Sequence, residues 1–120
     1  MFSVRVATSF DAVHAVTVCG VEETPHNHKW VVEVLIEGET LDKDDLLVDF
    51  VDVEKHLNQI TEPLHDSNLN TLEIFSGKNP SAERIALYIG NEMKDKIKPP
   101  ARVQSITITE APNCQATYTL

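Results

Sequence analysis

Several things are scarce in this chain of 120 residues, and each scarcity excludes something. Cysteine occurs twice, as Cys19 and Cys114, far apart and outside any CxxC pair. Two such residues do not make a disulfide framework, and a reducing compartment is expected. Basic residues are few: ten against nineteen acidic ones, a formal net charge of −9. That field repels a phosphate backbone and an anionic lipid surface, so neither nucleic acid nor membrane is an expected partner. A small anionic substrate remains compatible with it, because a bound cation reverses the sign locally. Long apolar runs are missing, and nothing approaches the roughly 18 residues of a membrane span. The opening stretch, Met1 to Val16, interrupts its apolar residues with Asp11 and His14 and lacks a basic start. It does not read as a secretory leader, and the expected location is cytoplasmic. Glycine occurs four times and proline six, with no repeat, low-complexity tract or linker. The 42% hydrophobic content, over this length, predicts one domain, 1–120, with a core of its own.

What is present alternates. Phe2, Val4 and Val6 interleave with polar neighbours, which predicts a strand that continues with breaks through Phe10, Ala12 and His14. His28, Trp30, Val32, Val34 and Ile36 share one face of a second strand, and Cys19 to Pro25 reads as a loop between the two. Leu46 to Val48 reads as a short apolar strand end. Asp49 then fits a helix N-cap ahead of the stripe Phe50, Val53, Leu57, Ile60 and Leu64, with Pro63 marking its stop. Asn79 and Pro80 resemble the cap and first residue of a second helix carrying Ala82, Ile85, Ala86, Ile89, Met93 and Ile97. Val103 to Glu110 and Gln115 to Thr119 read as two closing strands. This order predicts an α+β domain, an antiparallel sheet with two helices on one face.

Four sets of residues could carry chemistry. His26 and His28 stand two apart at the mouth of a strand, so their rings point the same way. His14 meets them if the first two strands pair antiparallel. Three neutral imidazoles with one open position suit a catalytic zinc, although five histidines make an HxH pair easy to obtain by chance. Glu110 ends an apolar strand with the parity of its buried side. There it would need a partner such as the adjacent N–H donors of a 2-amino-4-oxo-pyrimidine ring; alternatively it sits at a solvated strand end. Cys19, Glu22 and Glu23 precede the histidines, and a thiolate or carboxylate near a dication could act as a base. Alternatively Cys19 is a small buried hydrophobe and the glutamates are solvated. His65 and Asp66 are adjacent and could form a proton-transfer pair or a simple turn. His56 reads as an exposed helix residue.

Taken together, the motifs resemble the 6-pyruvoyl-tetrahydropterin and 6-carboxytetrahydropterin synthase family over about Val4 to Tyr118. Phe10-Asp11-Ala12-Val13-His14 resembles the family's F-x-A-A-H, His26-Asn27-His28 its H-G-H, and Val48-Asp49-Phe50 its V-D-F. Leu69-Asn70 resembles the end of D-H-x-x-L-N, Asn79-Pro80-Ser81-Ala82-Glu83 is similar to N-P-T-x-E, and Thr109-Glu110 to the closing E-T segment. The resemblance implies a tunnelling fold (T-fold) of order ββααββ: a four-stranded antiparallel sheet with two helices on one face. It implies a homo-oligomer, trimer or hexamer, with sites at subunit interfaces. His14, His26 and His28 would hold Zn2+, Glu110 would anchor a pterin ring and Ser81 would help line its pocket. The implied activity is a zinc-dependent pterin lyase acting on the side chain of 7,8-dihydroneopterin triphosphate, with Cys19 ranked first as the base and Glu22 or Glu23 as its substitutes. Alternatives are side-chain cleavage of dihydroneopterin to a hydroxymethyl product, a non-catalytic pterin-binding protein, and a protein in which zinc only fixes the fold.

Three departures touch the chemistry. Asn27 stands where the family has glycine, and Cys19 lies seven residues before His26. His65 occupies the family's Asp place and Asp66 its His place; on an extended segment such swapped neighbours would point opposite ways.

Overall fold

The computed structural model spans residues 1–120. In chain order it contains β1 (Phe2–His14), β2 (Thr17–Val18), β3 (Val21–Glu22), β4 (His26–Gly38), α1 (Phe50–Thr61), β5 (Ser67–Asn68), α2 (Ala82–Met93), β6 (Arg102–Ala111) and β7 (Cys114–Thr119). The four long strands lie in the order β1-β4-β6-β7, each antiparallel to its neighbour. The expected α+β layering is present: α1 packs on β1, α2 on β6 and β7, and the two helices touch. No helix is long and apolar enough to cross a membrane.

The sheet is larger than expected. β5 adds a fifth, two-residue strand parallel to β1 at Ala12 and Val13, so the sheet is mixed rather than purely antiparallel. Residues 17–22 form a small β2–β3 hairpin that takes in the first part of the expected Cys19–Pro25 loop. Its turn is Cys19-Gly20, both at positive φ (52° and 79°), which matches the twist of a two-residue hairpin loop. Leu46 to Val48, expected as a strand end, is not a strand, though Leu47 and Val48 still pack on the core.

The period-2 pattern of β4 works as predicted. Trp30, Val32, Val34 and Ile36 are fully buried against Val53 and Leu57 of α1 and Ile85, Ile89 and Met93 of α2. Truncating one of these, Leu57→Ala for example, should cost about 2–5 kcal/mol. Asp49 caps α1 as expected, its carboxylate accepting from Val51 N–H at 2.9 Å. Phe50, expected in the apolar stripe, is the first residue of α1 and is exposed. His56, expected exposed, is half-buried. Ile97 is buried but lies beyond the end of α2. The cap of α2 is Ser81 rather than Asn79: its hydroxyl accepts from Arg84 N–H at 3.1 Å.

Candidate metal centre and adjoining cavity

The 13-residue β1–β4 register sets His14 directly opposite His26 and places His28 opposite Ala12. Residues 14, 26 and 28 therefore share the inner face at one end of the sheet, as parity alone requires. One ligand nitrogen from each ring lies within 4.8 Å of the others. His14 and His26 bring Nε2 to Nε2 at 3.0 Å.

Two of the three tautomers are dictated by the backbone. His14 Nδ1 meets the Pro80 carbonyl at 2.9 Å, and His26 Nδ1 meets the Thr24 carbonyl at 2.9 Å. A carbonyl only accepts, so in each ring Nδ1 carries the proton and donates it, leaving the Nε2 lone pair free. His28 Nε2 is buried without any hydrogen-bond partner. Burial pushes the His28 pKa down, helped by neighbouring His26 and His14 and opposed by Glu110 and Glu23, so the ring is neutral at pH 7. Two free Nε2 lone pairs 3.0 Å apart, beside a third ring with a buried nitrogen that has no partner, fit a cation. A divalent ion suited to imidazole fits this donor set.

The segment leaving His14 is held at every residue. Asn70 brackets Ala15, its Oδ1 accepting from the Ala15 N–H and its Nδ2 donating to the Ala15 carbonyl, both at 2.8 Å. Asn79 brackets Thr17 in the same way, at 2.8 and 2.9 Å. Between them Glu23 Oε1 accepts from Val16 N–H at 2.9 Å while Glu23 N–H donates to the Val16 carbonyl at 3.0 Å. Asn70 and the Asn79-Pro80 pair thus support the candidate metal centre, roles that sequence reasoning missed. An asparagine presents one donor and one acceptor, the complement of a single peptide unit, and that was the available signal.

The proposed proton-transfer residues fall in different places. Glu23 stands beside the histidines, its Oε1 3.9 Å from His14 Nε2 and 3.8 Å from His26 Nε2. Glu22 is exposed on β3, and Cys19 is exposed at the hairpin tip. Glu110 comes from the end of β6, where the β6–β7 register slips between Thr109 and Ala111. Its Oε1 is 3.2 Å from His14 Nε2.

His65 and Asp66 form a separate cluster with Asp11. Asp66 takes a positive φ of 56°, which breaks the alternation expected for an extended segment. His65 Nε2 and Asp66 Oδ2 consequently lie 3.3 Å apart, and the Asp11 N–H donates to His65 Nδ1 at 3.1 Å. The reversed pair therefore still meets, contrary to the opposite-pointing geometry expected from its order.

A cavity of about 750 Å³ opens between the end of β1, the start of α2 and the β6–β7 hairpin. Glu110, Ser81, Val16 and Ala116 are on its wall, and its only charged residues are Glu83 and Glu110. Cys114 also faces it, whereas Cys19 does not.

Residues 3–120 match the family described as 6-pyruvoyl tetrahydropterin synthase. An Archaeoglobus fulgidus protein named as a 6-carboxy-5,6,7,8-tetrahydropterin synthase is 30% identical over 97 residues, covering 78% of this chain and 76% of the relative. A Caenorhabditis elegans protein named as a 6-pyruvoyl tetrahydrobiopterin synthase is 24% identical over 94 residues, covering 78% of this chain and 67% of the relative. Among solved structures, Caenorhabditis elegans 6-pyruvoyl tetrahydropterin synthase superposes with a TM-score of 0.86 at 20% identity, over 99% of this chain and 95% of that one. Plasmodium vivax 6-pyruvoyltetrahydropterin synthase, with its catalytic glutamate replaced by alanine, gives 0.79 at 20% identity, over 98% and 96%. With the histidine cluster on the common fold and the match running through nearly the whole sequence, the chain belongs to the 6-pyruvoyl tetrahydropterin synthase family.

Proposed function

We propose that the protein is a metal-dependent lyase acting on the side chain of a dihydropterin. The observation that carries this reading is the convergence of three imidazole nitrogens, two with backbone-fixed tautomers, beside Glu110, which contacts His14 and also walls the cavity. His14, His26 and His28 hold the ion. A zinc ion bound there supplies Lewis-acid polarisation of side-chain oxygens. Glu110 accepts from the adjacent ring N–H donors of the pterin, and Ser81 lines the ring's pocket from the N-cap of α2.

Glu23 is the proton acceptor in this reading. Its carboxylate is oriented by the Val16 N–H and faces the histidines, while Cys19 stands exposed at the hairpin tip and Glu22 points to solvent. The Plasmodium vivax relative has a glutamate as a catalytic residue, which agrees with a carboxylate base. His65 and Asp66 supply a second proton-transfer group. The protein works as a homo-oligomer with sites between subunits, which native mass spectrometry tests directly.

Within one subunit no lysine or arginine lines the cavity, and the groove beside Glu110 offers only Lys29, so the phosphates of a triphosphate would rely on the bound cation or on a neighbouring subunit, whereas the unphosphorylated substrate would not. With dihydroneopterin the hydroxyl proton beside the breaking carbon–carbon bond passes to the base. The bond's electron pair moves into the ring-conjugated carbon, which is reprotonated, and a two-carbon aldehyde leaves. Incubating the zinc-loaded protein with dihydroneopterin and with its triphosphate tests both readings. Aldehyde release supports cleavage, triphosphate release supports the synthase reaction, and no turnover of either removes the lyase assignment.

A further inference from the structure

The three rings of the candidate metal centre are not held alike. An imidazole lone pair lies in the plane of its ring, and the torsion that swings that plane is broad for histidine. Something must therefore fix the plane for the lone pair to be aimed. The Pro80 carbonyl does this for His14 and the Thr24 carbonyl for His26. His28 has no carbonyl behind it, and its Nε2 is buried without a partner. Its ring neighbours are His26, His14 and Trp30, at centroid distances of 4.5, 5.5 and 5.4 Å. Of these, Trp30 alone is not a member of the histidine cluster.

Trp30 is itself held from the neighbouring strand. It is the one tryptophan of the chain, fully buried, and it follows His28 by two residues on the same face of β4. Its indole N–H donates to the Ala12 carbonyl at 3.1 Å, and its ring stacks on Phe10 with 12° between the planes and 6.2 Å between centroids. Both partners belong to β1. His28 and His14 stand nearly perpendicular to the indole so fixed, at 86° and 89°, His14 at 4.7 Å. That is the edge-to-face arrangement aromatic pairs favour.

We infer that Trp30 is a positioning residue of the metal centre: an aromatic wall that sets the ring plane of His28, doing by packing what backbone carbonyls do for His14 and His26. The inference rests on the metal reading above and explains how a ligand ring without an outer hydrogen bond is pre-aimed.

A double-mutant cycle on zinc affinity, read by competition with a chromophoric chelator, tests it without turnover. Trp30→Phe and Trp30→Met both lose the indole N–H, and only the first keeps an aromatic face. Trp30→Phe should bind zinc within about threefold of wild type and Trp30→Met about tenfold more weakly, the size expected when a partner behind a ligand is removed. In a His28→Ala background the same two substitutions should change the remaining affinity by less than about twofold, because the ring they position is gone. Wild-type affinity in Trp30→Met would overturn the inference. So would an equal loss in both backgrounds, which would make Trp30 a core residue and nothing more. If a thermal melt shows that Trp30→Met does not fold, imidazole NMR signals of the metal-free wild type decide. One His28 ring orientation with Overhauser contacts to the indole supports the inference; several orientations overturn it. A wild type that binds no zinc removes the metal reading and this inference with it, a failure told apart by appearing before any substitution is made.

Discussion

Two clusters of histidine and carboxylate lie three residues apart along β1 and are built on opposite principles. Around His14, His26 and His28 the rings are sunk at the end of the sheet, His14 with only 1% of its surface exposed. The Nδ1 atoms of His14 and His26 are tied to carbonyls, and their Nε2 atoms face one another. Around Asp11, His65 and Asp66 the side chains of His65 and Asp66 are 48% and 77% exposed. There the Asp11 N–H occupies the ring's Nδ1 acceptor and leaves Nε2 to face a carboxylate. The first arrangement presents lone pairs and asks for a cation; the second presents an N–H and suits a proton. Proximity of histidine to carboxylate is common to both, and only the identity of the atom that the backbone occupies separates them.

The largest effect should come from breaking the first cluster. His26→Ala or His28→Ala should weaken zinc binding by more than about a hundredfold, measured by competition with a chromophoric chelator, with the domain still folded. His65→Ala should leave that affinity unchanged. Equal losses in all three variants would erase the distinction between the clusters. His14→Ala is a poorer probe, because it also leaves the Pro80 carbonyl without its donor in a buried site and should cost about 1–3 kcal/mol of stability.

Next comes the base. Glu23→Gln should lower turnover by about a hundredfold or more at unchanged zinc affinity, since it removes a proton acceptor outside the coordination shell. Cys19→Ala should leave turnover within about twofold and stability nearly unchanged, because Cys19 is exposed and alanine keeps the same Cβ at the positive-φ turn position. A collapse of activity in Cys19→Ala alone would show that the hairpin tip folds over the site in the working protein.

Much of this is legible in the residues themselves, and the illegible part has physical reasons. Strand parity determines which side of β1 and β4 faces the helices, so periodicity alone assigns His14, His26, His28 and Trp30 to one face. The first cap follows from Asp49 because an N-cap is a local event. The second does not, because in Asn79-Pro80-Ser81 three residues each qualify for a cap or first turn, and Asn79 is drawn off by a partner 62 residues away. Long-range demand on a side chain leaves no local trace. The same holds for β5, whose two residues pair with β1 only because Asp66 turns back on Asp11 through a 2.7 Å hydrogen bond. Ranking Cys19 over Glu23 rests on chemical reactivity, whereas the hairpin turn decides which of them reaches the histidines.

The supports give the third effect. Asn79→Ala should weaken zinc binding about tenfold, as removal of a partner behind a metal ligand commonly does, and cost about 1–2 kcal/mol for two hydrogen bonds at a partly exposed site. Asn79→Asp keeps the acceptor for the Thr17 N–H and loses the donor to the Thr17 carbonyl, so it should restore part of the affinity. Chelator competition and denaturant melts on the same samples check both numbers. An Asn79→Ala protein with full zinc affinity would show that Pro80 holds its carbonyl in place unaided.

The smallest effect, and the sharpest test of the second cluster, concerns Asp66. Its positive φ is a conformation that most side chains adopt at a cost of about 1 kcal/mol, that asparagine and aspartate tolerate better, and that glycine adopts freely. The backbone bond from Asp66 N–H to the Asp11 carbonyl needs no side chain. Asp66→Gly should therefore keep the turn and β5 with stability unchanged within about 0.5 kcal/mol, whereas Asp66→Ala should lose about 1 kcal/mol in a denaturant melt. Both variants take the carboxylate away from His65 Nε2. If this pair moves a proton, both lower turnover by about tenfold and leave zinc affinity untouched, with Asp66→Gly separating the chemical loss from the conformational one. A fall in zinc affinity alongside turnover would mean that the two clusters work as one site. Full turnover in the glycine variant would leave the pair as a turn and nothing more.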